Sequence, residues 1–286
     1  MSLDRRNFFK AVGVAGLTLV AGKSTGAQSP EESKIEFMGM LYDATRCLGC
    51  RACEIACAES HNLPEPKDEL VTDVKRNTSE LQRTVINKYN TSKGEVLVKN
   101  QCMHCNEPAC AAACLTQAMH KTKEGPVIWR ENKCMGCRYC MVSCPFDVPK
   151  FEYHSANPKI QKCDLCHDRI IKGEIPACAE ICGEALTFGT RRELIVEARK
   201  RIAENPDKYI SQIYGEDVAG GTGFLYLSPA PYNELGFKTD LQNSSYPALS
   251  KGFLYSVPSV FVLLPPLLLG IHEATKNNHS NEEENE

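Results

Sequence analysis

Apolar residues along this chain gather in two long runs and several short ones. One long run, Ala11 to Gly22, follows the charged start "DRRNFFK"; the other, "GFLYSVPSVFVLLPPLLLGI", spans Gly252 to Ile271, twenty residues without a charge. Between them, "KIEFMGMLYDATR" (34–46) predicts a strand and a turn, and "EVLVKN" (95–100) a short strand. "AMHKTKEGPVIWRENKC" predicts a hairpin, Ala118 to Lys121 and then Val127 to Trp129, about a turn at Glu124–Gly125. Downstream, "GEALTFGTRRELIVEARKRIAEN" predicts a turn, an N-cap at Thr190 and an amphipathic helix through Ile202. Two stretches carry no such pattern. Residues 58–95 are polar, with Pro64 and Pro66, and read as an inserted loop; residues 206–250 are rich in Gly, Pro, Ser and Tyr and read as a surface extension toward the second long run.

The two long runs have different chemistry. Arg5, Arg6, Phe8, Phe9 and Lys10 before a short apolar stretch, with small residues at Thr25 and Ala27, predict an export signal of the twin-arginine type, cleaved after Ala27. That route carries proteins already folded around their cofactors. Gly252–Ile271 has the length a bilayer core demands. Its prolines, Pro258, Pro265 and Pro266, are tolerated in lipid where neighbouring helices satisfy the freed carbonyls. The predicted arrangement is a body exported to the periplasm, a single C-terminal span and a short tail left in the cytoplasm.

Net charge is −3; the first 27 residues carry +3, so the rest is acidic, and no basic face marks a nucleic-acid binder. Sixteen of the 286 residues are cysteine, against one tryptophan, Trp129. They fall into four groups of four: Cys47, Cys50, Cys53, Cys57; Cys102, Cys105, Cys110, Cys114; Cys134, Cys137, Cys140, Cys144; and Cys163, Cys166, Cys178, Cys182. An even count in an exported chain raises disulfides. The spacing argues against them: residues i, i+3 and i+6 bring three thiolates to one point, and a disulfide uses two. Zinc takes four thiolates, usually as two separated CxxC pairs, and only the last group resembles that.

The CxxCxxCxxxC runs at Cys47–Cys57 and Cys134–Cys144 suit a cubane iron–sulfur cluster, in which several irons each take one thiolate. In the bacterial ferredoxin run of this spacing the fourth cysteine serves the other cluster. Sixteen thiols make four [4Fe–4S] clusters with none left over. The second and third groups are separated by one short hairpin, so they pair, leaving the first and fourth. The predicted ligand sets are Cys47, Cys50, Cys53 with Cys182; Cys163, Cys166, Cys178 with Cys57; Cys102, Cys105, Cys110 with Cys144; and Cys134, Cys137, Cys140 with Cys114.

There is no GxGxxG loop, nucleophile elbow or HExxH. A chain with four clusters and no other chemistry is an electron wire, not an enzyme on its own. His104 and His167 stand within or beside the cysteine loops and read as residues shaping them, since a full cysteine set is already present. Arg51, Lys133 and Arg138 would either raise local potentials and hydrogen-bond sulfides or be ordinary surface charge.

The stretches "GMLYDATRCLGCRAC", "QCMHCNEPAC", "CMGCRYCMVSCPFDVPKFEY", "KCDLC" and "FGTRRELIVEARKR" resemble the four-cluster ferredoxin-like subunits of membrane-bound oxidoreductases, and most the electron-transfer subunits of the hydrogenase 2 (HybA) type. One departure is that proline follows the last cysteine only in the third group, as Pro145; Ala58, Leu115 and Gly183 stand elsewhere. The resemblance implies an α+β fold of two ferredoxin-like double-cluster units with short hairpins and helices. It also implies that electrons pass between the small and large subunits of a periplasmic [NiFe] hydrogenase and an integral membrane subunit reacting with quinone. The alternative partner is a formate dehydrogenase or another molybdopterin oxidoreductase, whose iron–sulfur subunits share the cysteine motifs. The predicted organisation is a signal (1–27), a four-cluster domain (28–205, with the loop 58–95), an extension (206–250), a transmembrane anchor (251–272) and a polar tail (273–286).

Overall fold

The computed structural model describes residues 36–283. The twin-arginine signal falls outside them. The elements run β1 (Met38–Asp43), α1 (Ala52–Ser60), β2 (Val85–Thr91), β3 (Gly94–Asn100), α2 (Ala109–Ala112), β4 (Met119–Lys121), β5 (Val127–Trp129), α3 (Tyr139–Val142), β6 (Lys150–Phe151), β7 (Ile160–Gln161), α4 (His167–Ile170), α5 (Ala177–Ile181), β8 (Leu186–Thr190), α6 (Arg191–Glu204), β9 (Phe224–Leu227) and α7 (Tyr246–Glu283). The result is a mixed α and β fold of small sheets and short helices. The residues up to Leu249 form one compact unit, and those from Ser250 onward belong to another.

Strand β1 is the centre of the largest sheet. It pairs antiparallel with β8, Met38 opposite Thr190, and parallel with β9, Met40 opposite Phe224. Side chains alternate across a strand, and β1 uses both faces. Met40 and Tyr42 enter a core shared with Ile86, Val98, Leu165 and Tyr226, while Leu41 meets Leu194, Ala198, Leu225 and Leu227. Helix α6 supplies Leu194 and Ala198, and its start is fixed by a capping box in which Thr190 and Glu193 satisfy each other's backbone N–H groups. A third core lies beneath the β4–β5 hairpin and joins Met119, Val127 and Ile160 to Cys110 and Cys140.

Two expectations are corrected. The segment 58–95 is not a loop throughout. Its last part is β2, paired residue for residue with β3 from Val85–Asn100 to Thr91–Gly94. A buried bolt holds the rest: the Glu54 carboxylate accepts from Arg76 Nη1 (2.9 Å), Arg51 Nη2 (2.7 Å) and the Ile86 amide (2.5 Å). Nor is 206–250 a surface extension, because β9 within it is wholly buried. Tyr214, Tyr226, Tyr232 and Phe237 pack ring on ring there, at centroid distances of 4.5–6.2 Å. Tyr226 and Tyr232 place their hydroxyls on the carbonyls of Lys99 and Gln212, so polar tips are satisfied while the rings fill the core.

Among the described residues, one helix is long and apolar enough to cross a membrane: Tyr246–Glu273 within α7, mean hydropathy 1.9. It runs on through Pro258, Pro265 and Pro266.

Candidate metal centres

The repeated spacing has a repeated backbone. Gly49 and Gly136 stand at φ 72° and 73°, and two residues later Arg51 and Arg138 stand at φ 60° and 61°. Left-handed residues placed between right-handed or extended ones curl a loop so that successive N–H groups point inward, forming a nest for an anion. Helices α1 and α3 begin immediately after Arg51 and Arg138. Past the fourth cysteines of the second and third groups the match continues. Gln117 and Asp147 are both left-handed, and their amides donate to the carbonyls of Cys114 (3.0 Å) and Cys144 (3.2 Å). Helices α2 and α3, which bear Cys110 and Cys140, pack together, and so do α1 and α5, which bear Cys53, Cys57 and Cys178.

The packing brings cysteines of different groups together. One cavity is lined by Cys134, Cys137 and Cys140 with Cys114, walled by Met119, Trp129 and Ile160. A second is lined by Cys163, Cys166 and Cys178 with Cys57, walled by Leu165, Phe224 and Lys99. Cys105 and Cys110 lie near Cys102 and Cys144: burial raises both thiols, Cys105 to about 12, and Cys102 and Cys144 add to the rise. Burial likewise lifts Cys53 to about 12, with Cys178 and Cys182 among its thiol neighbours. Cys47 and Cys182 pack against the main core, and Cys50 and Cys137 are exposed.

Thiols crowded this way resist ionising one by one. Burial, then its neighbours Cys114, Cys134 and Cys137, holds Cys140 at about 11; burial drives Cys163 well above the ordinary range, with Cys57 adding to it. Coordination to a metal removes such protons outright, so the donor sets fit a positively charged metal core. Unpaired donors fit it too. Trp129 Nε1 is buried without a partner in the wall of the first cavity. His104, fully buried between Cys102 and Cys105, accepts from the Val127 amide at Nδ1 (3.0 Å) and leaves Nε2 unpartnered. Sulfur already accepts backbone bonds, among them Met119 to Cys114 (3.3 Å) and Leu165 to Cys163 (3.4 Å).

The flanking residues sort themselves. His104 ties its loop to the β4–β5 hairpin, and His167 pairs with Glu124 (3.2 Å). Arg51 is spent on Glu54, and Lys133 is exposed. Arg138 lines the first cavity and lies over Phe151, 5.2 Å from the ring centroid. Several residues escaped the sequence reading. Lys99 is buried, donating to Thr84 Oγ1. Burial opposes its charge, yet Cys53, Cys178, Cys57 and Cys163 hold it above an ordinary lysine. Lys162 is buried against Cys102 and Cys163. His61 bridges the Cys57 carbonyl (2.8 Å) and Asp164 (3.0 Å), and Arg83 also meets Asp164 (2.7 Å). The one available signal was position, since Lys162 directly precedes Cys163 and Lys99 is the penultimate residue of the strand feeding Cys102.

The 4Fe-4S dicluster domain family matches residues 95–191. A protein of Nitratidesulfovibrio vulgaris is 43% identical over 96% of this chain and 77% of its own length. The hydrogenase-2 operon protein HybA of Escherichia coli O157:H7 is 33% identical over 97% of both chains. The formate dehydrogenase-O iron–sulfur subunit of Escherichia coli K12 is 28% identical over 73% of both. Likeness to HybA along nearly the whole length, with the cysteine loops folded as they are, means that the chain belongs to the HybA family of ferredoxin-like iron–sulfur electron-transfer subunits.

Proposed function

We propose that the chain carries four [4Fe–4S] clusters in two double-cluster units and conducts electrons between a periplasmic [NiFe] hydrogenase and a membrane subunit that reduces quinone. The observation that carries the reading is the pair of cavities, each gathering three cysteines of one group and the fourth of another. The same exchange assigns Cys102, Cys105, Cys110 with Cys144, and Cys47, Cys50, Cys53 with Cys182. When bound, each cluster supplies a one-electron redox centre. The chain's own residues do the rest: cysteines hold the centres, inward amides stabilise their charge, and Met119, Trp129, Ile160, Leu165 and Phe224 keep water from them. Cys163 and Cys102 share Lys162, so the two units abut there. Residues 1–27 act as a twin-arginine signal and the apolar helix as the anchor.

The hydrogenase partner is favoured by the match to HybA across 97% of both chains, against 73% for the formate dehydrogenase subunit. Two measurements on the full chain purified from detergent-solubilised membranes test this. Iron and acid-labile sulfide should each reach one per cysteine, and mass spectrometry of co-purifying chains should find hydrogenase subunits. Iron at half that level contradicts the cluster count, and a molybdopterin subunit in place of hydrogenase contradicts the partner.

A further inference from the structure

Two lysines lie deep in the protein, and both lie where neighbouring cysteine sets meet. Lys162 is 3% exposed. Its Nζ donates to the carbonyls of Val127 and Cys163 (2.8 Å for the latter) and approaches Cys102 Sγ at 3.9 Å. An ammonium has three donors and no acceptor, and here each donor has a partner. One of those partners belongs to the Cys102 set, and another is the backbone of Cys163. Lys99 is 1% exposed and donates to Thr84 Oγ1. It lines the cavity of Cys57, Cys163, Cys166 and Cys178, and Cys53 of the adjoining set stands one helical turn from Cys57 on α1. No buried carboxylate pairs with either ammonium among the described residues. Lys162 instead meets carbonyl oxygens and the Cys102 sulfur, and Lys99 the Thr84 hydroxyl in a cavity walled by cysteines. The Cys134 set differs: its cavity holds no lysine, and the cation there, Arg138, is exposed.

We infer that Lys99 and Lys162 are fixed positive charges at two successive junctions of the wire, where they raise the reduction potentials of the redox centres on either side. The inference rests on the four-cluster reading. An added electron is an added negative charge, and a buried ammonium beside it is unscreened by salt and acts through a medium of low polarity. Lys162 therefore favours the reduced state of the centres held by Cys102 and by Cys163, and Lys99 that of the centres held by Cys163 and by Cys53. The centre held by Cys134 receives neither contribution. The Cys163 set is touched by both lysines, and the Cys102 set by Lys162 and by the half-buried Lys121, which donates to the Cys105 carbonyl (2.9 Å). The two inner centres therefore lie above the Cys134 centre in potential, which makes the interior of the chain a place where electrons rest and the Cys134 end one from which they leave readily. Both lysines are positioning residues acting through the centres they face.

The test is potentiometric titration of the full chain, followed by electron paramagnetic resonance, for Lys162→Met, Lys162→Gln and Lys162→Arg and the same three changes at Lys99. Iron content is measured on each sample, so that a missing cluster is told apart from a moved potential. The neutral variants should keep their iron and shift two of the four signals downward, leaving the other two in place. At a fixed potential the reduced-to-oxidised ratio of the affected signals should fall about tenfold, equivalent to 59 mV for one electron. The shift should persist in high salt, and the Arg variants should restore the signals. Unmoved potentials in Met and Gln variants of both lysines overturn the proposal. So does a shift in Met that Gln abolishes, because the hydrogen bond would then be the cause. Loss of iron in neutral and Arg variants alike also overturns it, making the lysine a packing element. Loss in the neutral variants alone, restored by Arg, overturns it too, because the charge would then be needed to hold the cluster and not to set its potential. A wild-type iron content below one per cysteine counts against the four-cluster reading, whatever the variants do.

Discussion

Replacing Glu54 by Gln should loosen the segment 68–91 from helix α1. The Glu54 side chain is fully buried, and its two oxygens accept from Arg76, Arg51 and the Ile86 amide. Gln preserves the shape and one acceptor but sets an amide against two guanidinium groups. Arg76 would keep Asp68, half-exposed at 2.9 Å, as its one carboxylate partner, beside the Ile86 carbonyl (3.0 Å). Breaking one side of a buried ion pair costs about 3–5 kcal/mol; with the Ile86 bond retained, the lower end applies. At 1.4 kcal/mol per decade, local opening should rise roughly 100-fold. Native-state hydrogen exchange reads this at the Ile86, Val85 and Val98 amides, with the amides of β9 as an internal control. Acidification should mimic the substitution. Burial works against the Glu54 charge, but Arg76 and Arg51 hold its carboxyl below the usual range. The stabilisation is therefore fully present above the unfolded carboxylate value of about 4.3 and is lost as pH falls through the depressed folded value. An exchange rate in the Gln variant within tenfold of wild type would refute the bolt.

Three further outcomes follow from the same structure. Thr190→Ala removes the capping box of α6 and should lower stability by about 1 kcal/mol, seen as a lower melting temperature of the full chain, with Thr190→Ser restoring it. Truncation before Lys251 removes most of the apolar helix and should release a soluble, brown, cluster-bearing body; full retention in carbonate-washed membranes would show that something else is the main anchor. Changing Arg5 and Arg6 both to Lys should strand the protein in the cytoplasm with its clusters in place, and normal export of the double variant would contradict a twin-arginine signal.

Much of the scaffold was legible locally. Strands β1 and β3, the β4–β5 hairpin and the Thr190 cap lie where apolar spacing and capping chemistry put them. What escaped has physical causes. Strand β2 reads "VINKYNT", and its polar Asn87 is fully buried because its amide trades bonds with the Arg76 backbone, accepting at 2.7 Å and donating at 2.9 Å. A side chain standing in for a strand partner looks like a loop residue in sequence. Strand β9 is only four residues among glycines and prolines, and its pairing partner β1 lies far away in the chain. Tyrosines 214, 226 and 232 read as surface residues, yet their hydroxyls are all used inside. Lys99 was invisible for a like reason: a lysine on a short strand reads as the solvent face, and only the fold reveals the cysteines around it.

Iron-edge anomalous diffraction from crystals of the cluster-loaded chain tests the exchange of fourth ligands most directly. Sixteen irons in four clusters should appear, with Cys144 Sγ about 2.3 Å, a usual metal–thiolate distance, from an iron of the cluster held by Cys102, Cys105 and Cys110, and Cys114 on the cluster held by Cys134, Cys137 and Cys140. Cys144 bound to the same cluster as Cys134, Cys137 and Cys140 would contradict the account and make each cysteine group a self-contained site.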